Sequence, residues 1–366
     1  MKKFSTNHLL GGIAALFFLT LMLCWPQQSA DGIYQGLVSC AKQVIPALFP
    51  FFVVSALIIA SPLAEWLGIL LYPYTRFVLG IRDRSASTAL LVSWLGGFAV
   101  AANTISQLYL QGHINRRQAD LLLACGVGSG PAFVINTVGL LMLKNINWGI
   151  CLYGALLCAN LVTGVFLRVI FCFLKETHTV YSEPQSSAST LSSGGFVAAV
   201  GQAVRSMLTV CGFVVFFRFL CTVLPSALHL ASTGAFATNA FLEVTSGCAS
   251  AINLAGNAPI FCCCAALSLQ SLSVFLQVRA LLCHELSLNC LLAVRPIHLV
   301  FSLLFLRLLL TFLPDTVSAF SSLAPQVIPI AHTAPDAALV LFFLCCAVLY
   351  QLDRAHGRIS FAKKPA

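Results

Sequence analysis

The chain predicts an all-α fold, a polytopic helical membrane protein with two related halves and interrupted or re-entrant helices. Three observations predict it. Apolar residues make up 59% of the 366 residues and charged residues only 8%, where a soluble domain carries roughly a quarter charged residues. The apolar residues gather in long segments with Arg or Lys at many of their ends, as transmembrane helices do. Some segments are broken internally by small, polar and helix-breaking residues, as at Cys125-Gly126-Val127-Gly128-Ser129-Gly130-Pro131. An unpaired backbone amide or carbonyl is costly in hydrocarbon, so an unwound stretch at membrane depth persists only where protein or a wet cavity shelters it. The breaks therefore point to a binding site inside the bilayer.

In chain order, Lys2-Lys3 precede an apolar run from Leu9 to Trp25 with no small-residue cleavage pattern after it, which reads as an uncleaved first span. Further apolar segments run near 44–60, 66–80, 88–110, 119–143 and 148–174. The 66–80 stretch carries Pro73 and Arg76 and suits a short re-entrant or interfacial helix. From Lys175 to Gly195 the chain is polar and rich in Ser and Gly, the composition of a linker. This gives a first membrane repeat over 1–180, a linker over 181–195 and a second membrane repeat over 196–366. The second half has apolar stretches near 196–224, 229–260, 261–283, 297–313 and 336–352. Its Val210 to Phe217 echoes Ile45 to Phe52, and Ser271 to Leu276 echoes Ser129 to Val134. Two similar halves with interrupted helices at matching places form the pattern of secondary transporters, whose substrate site lies between the repeats. Lys2 and Lys3 at one end and Arg354, Arg358, Lys363 and Lys364 at the other place both termini in the cytoplasm, with an even number of crossings.

The formal charge of +9 is spread over segment ends rather than clustered with aromatics, so it argues for a lipid bilayer and against nucleic acid as partner. Most of the sixteen cysteines lie within apolar stretches, where a free thiol acts as a small hydrophobe. No Walker loop, dinucleotide fingerprint, zinc-protease helix or nucleophile elbow is present. The sequence therefore calls for no enzyme activity, no cofactor and no metal.

The candidate binding residues follow from the breaks. At the first, Pro131 lacks an amide proton and pushes Gly130 out of the helical region, and the helix that resumes would present free amides, an anion site. Gly128, Ser129, Gly130, Pro131 and, further on, Asn136 are its contacts; a kink that merely permits close packing is the plainer reading. The second break is Leu242-Glu243-Val244-Thr245-Ser246-Gly247. Glu243 there is a carboxylate at membrane depth, either a coupling group or a cap on nearby amides, with Thr245, Ser246 and Gly247 beside it. In the 261–283 segment, Gln270, Ser273, Gln277 and His284 fall on one helical face, which should point inward. Arg218, Arg279 and Arg307 lie in apolar segments and outnumber Glu243. Such surplus buried charge suits an acidic substrate, gripped by a planar guanidinium, or else lipid phosphate. Asn103 is a further polar candidate, and Asn115 reads as a helix cap.

These residues carry a family resemblance. Val44 to Phe52, Gly112-His113-Ile114, Ser129 to Val134 with Val138-Gly139, Leu242 to Gly247 and Leu272 to Gln277 resemble the YlbJ-type sporulation integral membrane proteins, which contain nucleoside-recognition (Gate) domains. The resemblance implies a bacterial cell membrane protein, in the outer forespore membrane, that moves dipicolinate from mother cell to forespore. It also implies a small-molecule anion as ligand, with a homo-oligomer or other sporulation membrane proteins as partners. Nucleoside transport and a non-transporting scaffold are the other functions it allows. The chain departs from the family pattern at Gly97 to Ala101, at Gly126 to Gly128 and at Leu269 to Ser271.

Overall fold

A backbone in hydrocarbon must close its hydrogen bonds within the chain, and the described residues do so with helices alone. The computed structural model describes residues 6–173 and 196–312. The linker expected at 181–195, the apolar stretch at 336–352 and the basic residues Arg354 to Lys364 lie outside the described residues.

Helices α1 (Thr6–Cys24) and α2 (Pro26–Ser39) are followed by a π-helical turn, Cys40–Val44, and by α3 (Ile45–Ile59). Short pieces come next, α4 (Leu63–Leu67) and α5 (Tyr72–Tyr74) with 3-10 and π turns around them, in the region expected to form a short re-entrant or interfacial helix. Then come α6 (Arg84–Gly96), α7 (Phe98–Leu110), α8 (Arg116–Gly126), a π-helix over Ala132–Met142 and α9 (Ile146–Phe173). After the second boundary follow α10 (Phe196–Ala227), α11 (Ser232–Leu242), α12 (Val244–Ala251), α13 (Ala258–Leu269), α14 (Leu272–Leu281) and α15 (Asn289–Thr311). Asn115 caps α8 as its sequence predicts: its side chain accepts from the Gln118 amide and the Gln118 side chain accepts from the Asn115 amide, both at 2.9 Å.

Among the described residues, four helices are long and apolar enough to cross a membrane: Ile146–Ile170, Phe196–Ala227, Ala258–Leu281 and Asn289–Thr311. Two bent pairs bring the number to six if each is one span, Gly12–Cys24 with Pro26–Val44 and Leu48–Ile59 with Leu63–Leu70. Their outer faces are apolar: Leu23 is 72% exposed, Leu208 68% and Val197 84%. Surface of that kind requires lipid, and the chain is an integral membrane protein.

The apolar segments at 88–110 and 229–260 turn back on themselves, the second at the break expected over Leu242 to Gly247. The first turns at a single residue, Gly97, with φ 84°, a conformation that costs little without a Cβ, and α6 packs against α7. The second turns at Glu243, and α11 lies so close to α12 that a Cβ on Gly247 would come within 2.5 Å of the Ala240 Cα. Asn239 Nδ2 donates to Ser250 Oγ across this pair at 2.7 Å. Each turned-back pair precedes an interrupted helix, α8 with the 132–142 helix and α13 with α14. The 261–283 stretch is therefore broken, at Gln270 (φ 62°) and Ser271. The inward stripe holds for Gln270, Ser273 and Gln277, which are buried, whereas His284 lies beyond α14 and is exposed.

One hydrophobic core runs through both halves, joining Leu90, Leu122, Val138 and Leu152 to Cys263, Leu267, Val278 and Leu306. Helix α9 packs along α15 and α2 along α10.

Gly247→Ala should lower stability by about 1–3 kcal/mol through overpacking, while Gly212→Ala, whose Cβ would meet nothing within 4 Å, should stay within about 0.5 kcal/mol of the parent. Thermal unfolding of the two variants in one detergent compares them; equal midpoints would refute the close α11–α12 contact.

Candidate functional site

Both turns, the first interruption and the helix that follows the second reach one cavity of about 100 Å³. Leu95, Gly96, Gly97 and Phe98 bring the tip of the first turned-back pair, and Glu243, Val244 and Thr245 bring the tip of the second. Ser129, Gly130, Ala132, Phe133 and Thr137 come from the first interrupted helix, Val274 and Gln277 from α14, and Val210, Val214 and Arg218 from α10. Ser39, Gln43, Leu48 and Phe51 complete the lining from the first helices. The tip at Gly97 rests on the break itself, since a Cβ there would lie 3.1 Å from the Gly130 amide nitrogen.

Phe98, Ala132, Val244 and Val274 each belong to the first turn of a helix, so four positive dipole ends border the space. Two are capped by side chains. Glu243 Oε1 accepts from the Thr245 amide at 2.8 Å and Oε2 from the Ser246 amide at 2.6 Å, while Ser271 Oγ accepts from the Val274 amide at 3.3 Å. The caps of the other two, Gly97 and Pro131, make no side-chain hydrogen bond.

Glu243 thus serves as a cap. Ser246 Oγ also donates to its Oε2 at 2.8 Å and accepts from Arg218 Nη1 at 2.6 Å, so acid and guanidinium are joined through one hydroxyl. Both carboxylate oxygens are engaged, and Arg218 is the cation lining the cavity. The rest of the wall sets polar side chains, such as Gln43, Thr137 and Gln277, among apolar and aromatic ones, Phe51, Phe98 and Phe133 included, the usual make-up of a small-molecule site.

Behind the breaks, the carbonyls that lost helical partners are met by side chains, as buried backbone groups must be. Val127 O accepts from Gln270 Nε2 at 3.1 Å and from Arg295 Nη2 at 2.7 Å. Arg295 Nη1 reaches Ser268 O at 3.4 Å, and Trp94 Nε1 donates to Cys125 O at 2.9 Å.

Of the residues singled out by sequence, Ser129, Gly130, Arg218, Glu243, Thr245 and Gln277 line the cavity. Ser246 and Gly247 are buried behind the second tip, Pro131 caps the 132–142 helix, and Gly128 faces a separate small chamber. The remaining candidates are displaced from the cavity. Asn103 takes a hydrogen bond from Gln202 Nε2 at 3.1 Å, Asn136 and Arg307 are exposed, and Arg279 Nη1 donates to Leu286 O at 2.8 Å. Apolar context alone gives neither depth nor facing, which is why three arginines looked alike. Sequence reading missed the Gly97 turn, the aromatic wall and Arg295. Arg295 stood at the edge of the apolar run taken from 297; the run Cys290 to Val294 before it was the available signal.

Fold and cavity define an integral membrane protein with a polar-tipped pocket among interrupted helices. The chain is 25% identical over 234 residues to the sporulation integral membrane protein YlbJ of Bacillus subtilis (strain 168), a match covering 59% of this chain and 57% of that protein. The resemblance to YlbJ-type proteins expected from the motifs is thus met in a curated relative, of which the match spans little more than half the length. No protein-family model matches the chain, and no solved structure gives a significant match.

Ser246→Ala should cost about 1–3 kcal/mol, because it leaves a buried carboxylate oxygen and a guanidinium N–H each short of a partner. Midpoints of denaturation for the variant and parent measure this, and an unchanged midpoint would show that the Glu243-Ser246-Arg218 chain does not hold the tip.

Proposed function

We propose that the protein is a membrane carrier of a small organic anion, with dipicolinate, a planar aromatic dicarboxylate, as its cargo. The observation that carries this reading is Arg218 in an aromatic-walled cavity where both oxygens of the acidic Glu243 are already bonded. A guanidinium flanked by uncapped helix N-termini favours a carboxylate, and the flat faces of Phe98 and Phe133 favour a ring. In this reading Arg218 and the amides after Gly97 and Pro131 hold the carboxylates, and Gln277 and Thr245 orient them. The described parts of the two halves, 6–173 and 196–312, act as the two arms of an alternating-access device around the cavity.

The sporulation name of the relative supports a role in spore formation and a place in the outer forespore membrane, with export from mother cell towards forespore. Nothing in this reading requires ATP; cargo moves on a gradient.

Purified protein in liposomes should take up labelled dipicolinate, and Arg218→Gln should raise the half-saturating concentration about 10–100-fold, the loss of one charge-assisted hydrogen bond. Excess uridine should leave the flux unchanged. Competition by uridine with no effect of Arg218→Gln would point to nucleosides as cargo, and absence of any flux, with accumulation in spores intact in the variant, would make the protein a scaffold.

A further inference from the structure

Behind Ser129 a second chamber of about 10 Å³ lies among Gly128, Asn160, Arg295 and His298, room for one water-sized particle. Ser129 lines this space as well as the main cavity. The polar side chains around it are deeply buried: Asn160 is 4% exposed and Arg295 3%. Arg295 Nε, Asn160 Oδ1 and His298 Nε2 have no hydrogen-bond partner among the described residues. The site is built by two helices, α9 and α15, against the first break.

The chemistry of the lining selects the occupant. Arg295 Nε–H can only donate, the Asn160 amide can turn its N–H₂ inward, the Ser129 hydroxyl can donate, and His298, with Nδ1 accepting from Ser268 Oγ at 2.6 Å, presents Nε2–H. No carboxylate lines the chamber, and the ion pair present among the described residues is the distant His113–Asp83. The carbonyl ends of α8 and α13, at Val127 and Ser268, offset part of the guanidinium charge. The rest is uncompensated in a medium that penalises lone charge. A cation is repelled there, and a carboxylate group, with its three non-hydrogen atoms, is too large for the space.

We infer that the chamber binds one monovalent anion of halide size, held by Arg295 Nε–H with Asn160 and Ser129 as further donors. The ion ties α15 and α9 to the break at Gly128 and Ser129, next to the main cavity, whatever that cavity carries.

The test uses the full chain, purified in detergent without cargo and melted in sodium chloride, bromide and gluconate at equal ionic strength. The midpoint should be several degrees higher in both halides, with a saturable dependence on their concentration, as expected for a ligand that binds only the folded state. Asn160→Asp, which supplies Arg295 with a built-in carboxylate, should melt in gluconate as the parent does in chloride and lose the halide response. Crystals of the parent protein grown in bromide should show an anomalous peak between Arg295 and Asn160. Equal midpoints of the parent in all three salts, a halide response that persists in the Asn160→Asp variant, or a water without anomalous signal in the chamber would each overturn the inference.

Discussion

Everything in this structure answers to one constraint: backbone groups released by a broken helix have no water to turn to inside a bilayer. Four of the breaks lie at Gly97, at 127–130, at Glu243 and at Gln270–Ser271, and the chain resolves them differently on their two sides. On the carbonyl side, Trp94, Gln270 and Arg295 bind Cys125 O, Val127 O and Ser268 O. On the amide side, Glu243 and Ser271 cap their own helices, but Gly97 and Pro131 bring no cap. The asymmetry marks the pocket, which the uncapped turns after Gly97 and Pro131 border.

Charge is distributed by the same logic. An isolated buried charge costs far more than a paired one, and each of the two inward arginines is given a different remedy. Arg218 is linked to Glu243 through Ser246 and keeps part of its guanidinium at the cavity. Arg295 is placed where two helices end, with its nitrogens on their last carbonyls. Arg279 and Arg307 escape the problem, one on a loop carbonyl and the other at the exposed face.

Packing brings these pieces into register. Glycine backbone meets glycine backbone where the Gly97 tip rests on Gly130, and Gly139 lies against Gly149 so closely that a Cβ would fall 2.4 Å from the neighbouring Cα. Contacts of this type depend on dispersion and close approach, because lipid offers no hydrophobic penalty to drive helices together. They allow a turned-back pair to touch a break without side chains filling the gap, and so the cavity survives.

Much of this was legible in the sequence. Composition determined a helical membrane protein, because 8% charge cannot clothe a soluble surface of this length; the break at 126–131 was plain because Pro and Gly act locally on φ and ψ; and Asn115 announced its helix by a capping pattern that spans only four residues. Glu243 was identifiable as a special carboxylate, yet not as a cap, since that depended on where the Thr245 and Ser246 amides pointed. Only the tertiary structure decided that Gly97 reverses the chain, that the 261–283 helix breaks at Gln270, and that Arg218 rather than Arg279 or Arg307 enters the cavity. Local chemistry is written along the chain, whereas the facing of a side chain on an all-apolar helix is set by the neighbours it packs against, which come from residues a hundred or more positions away.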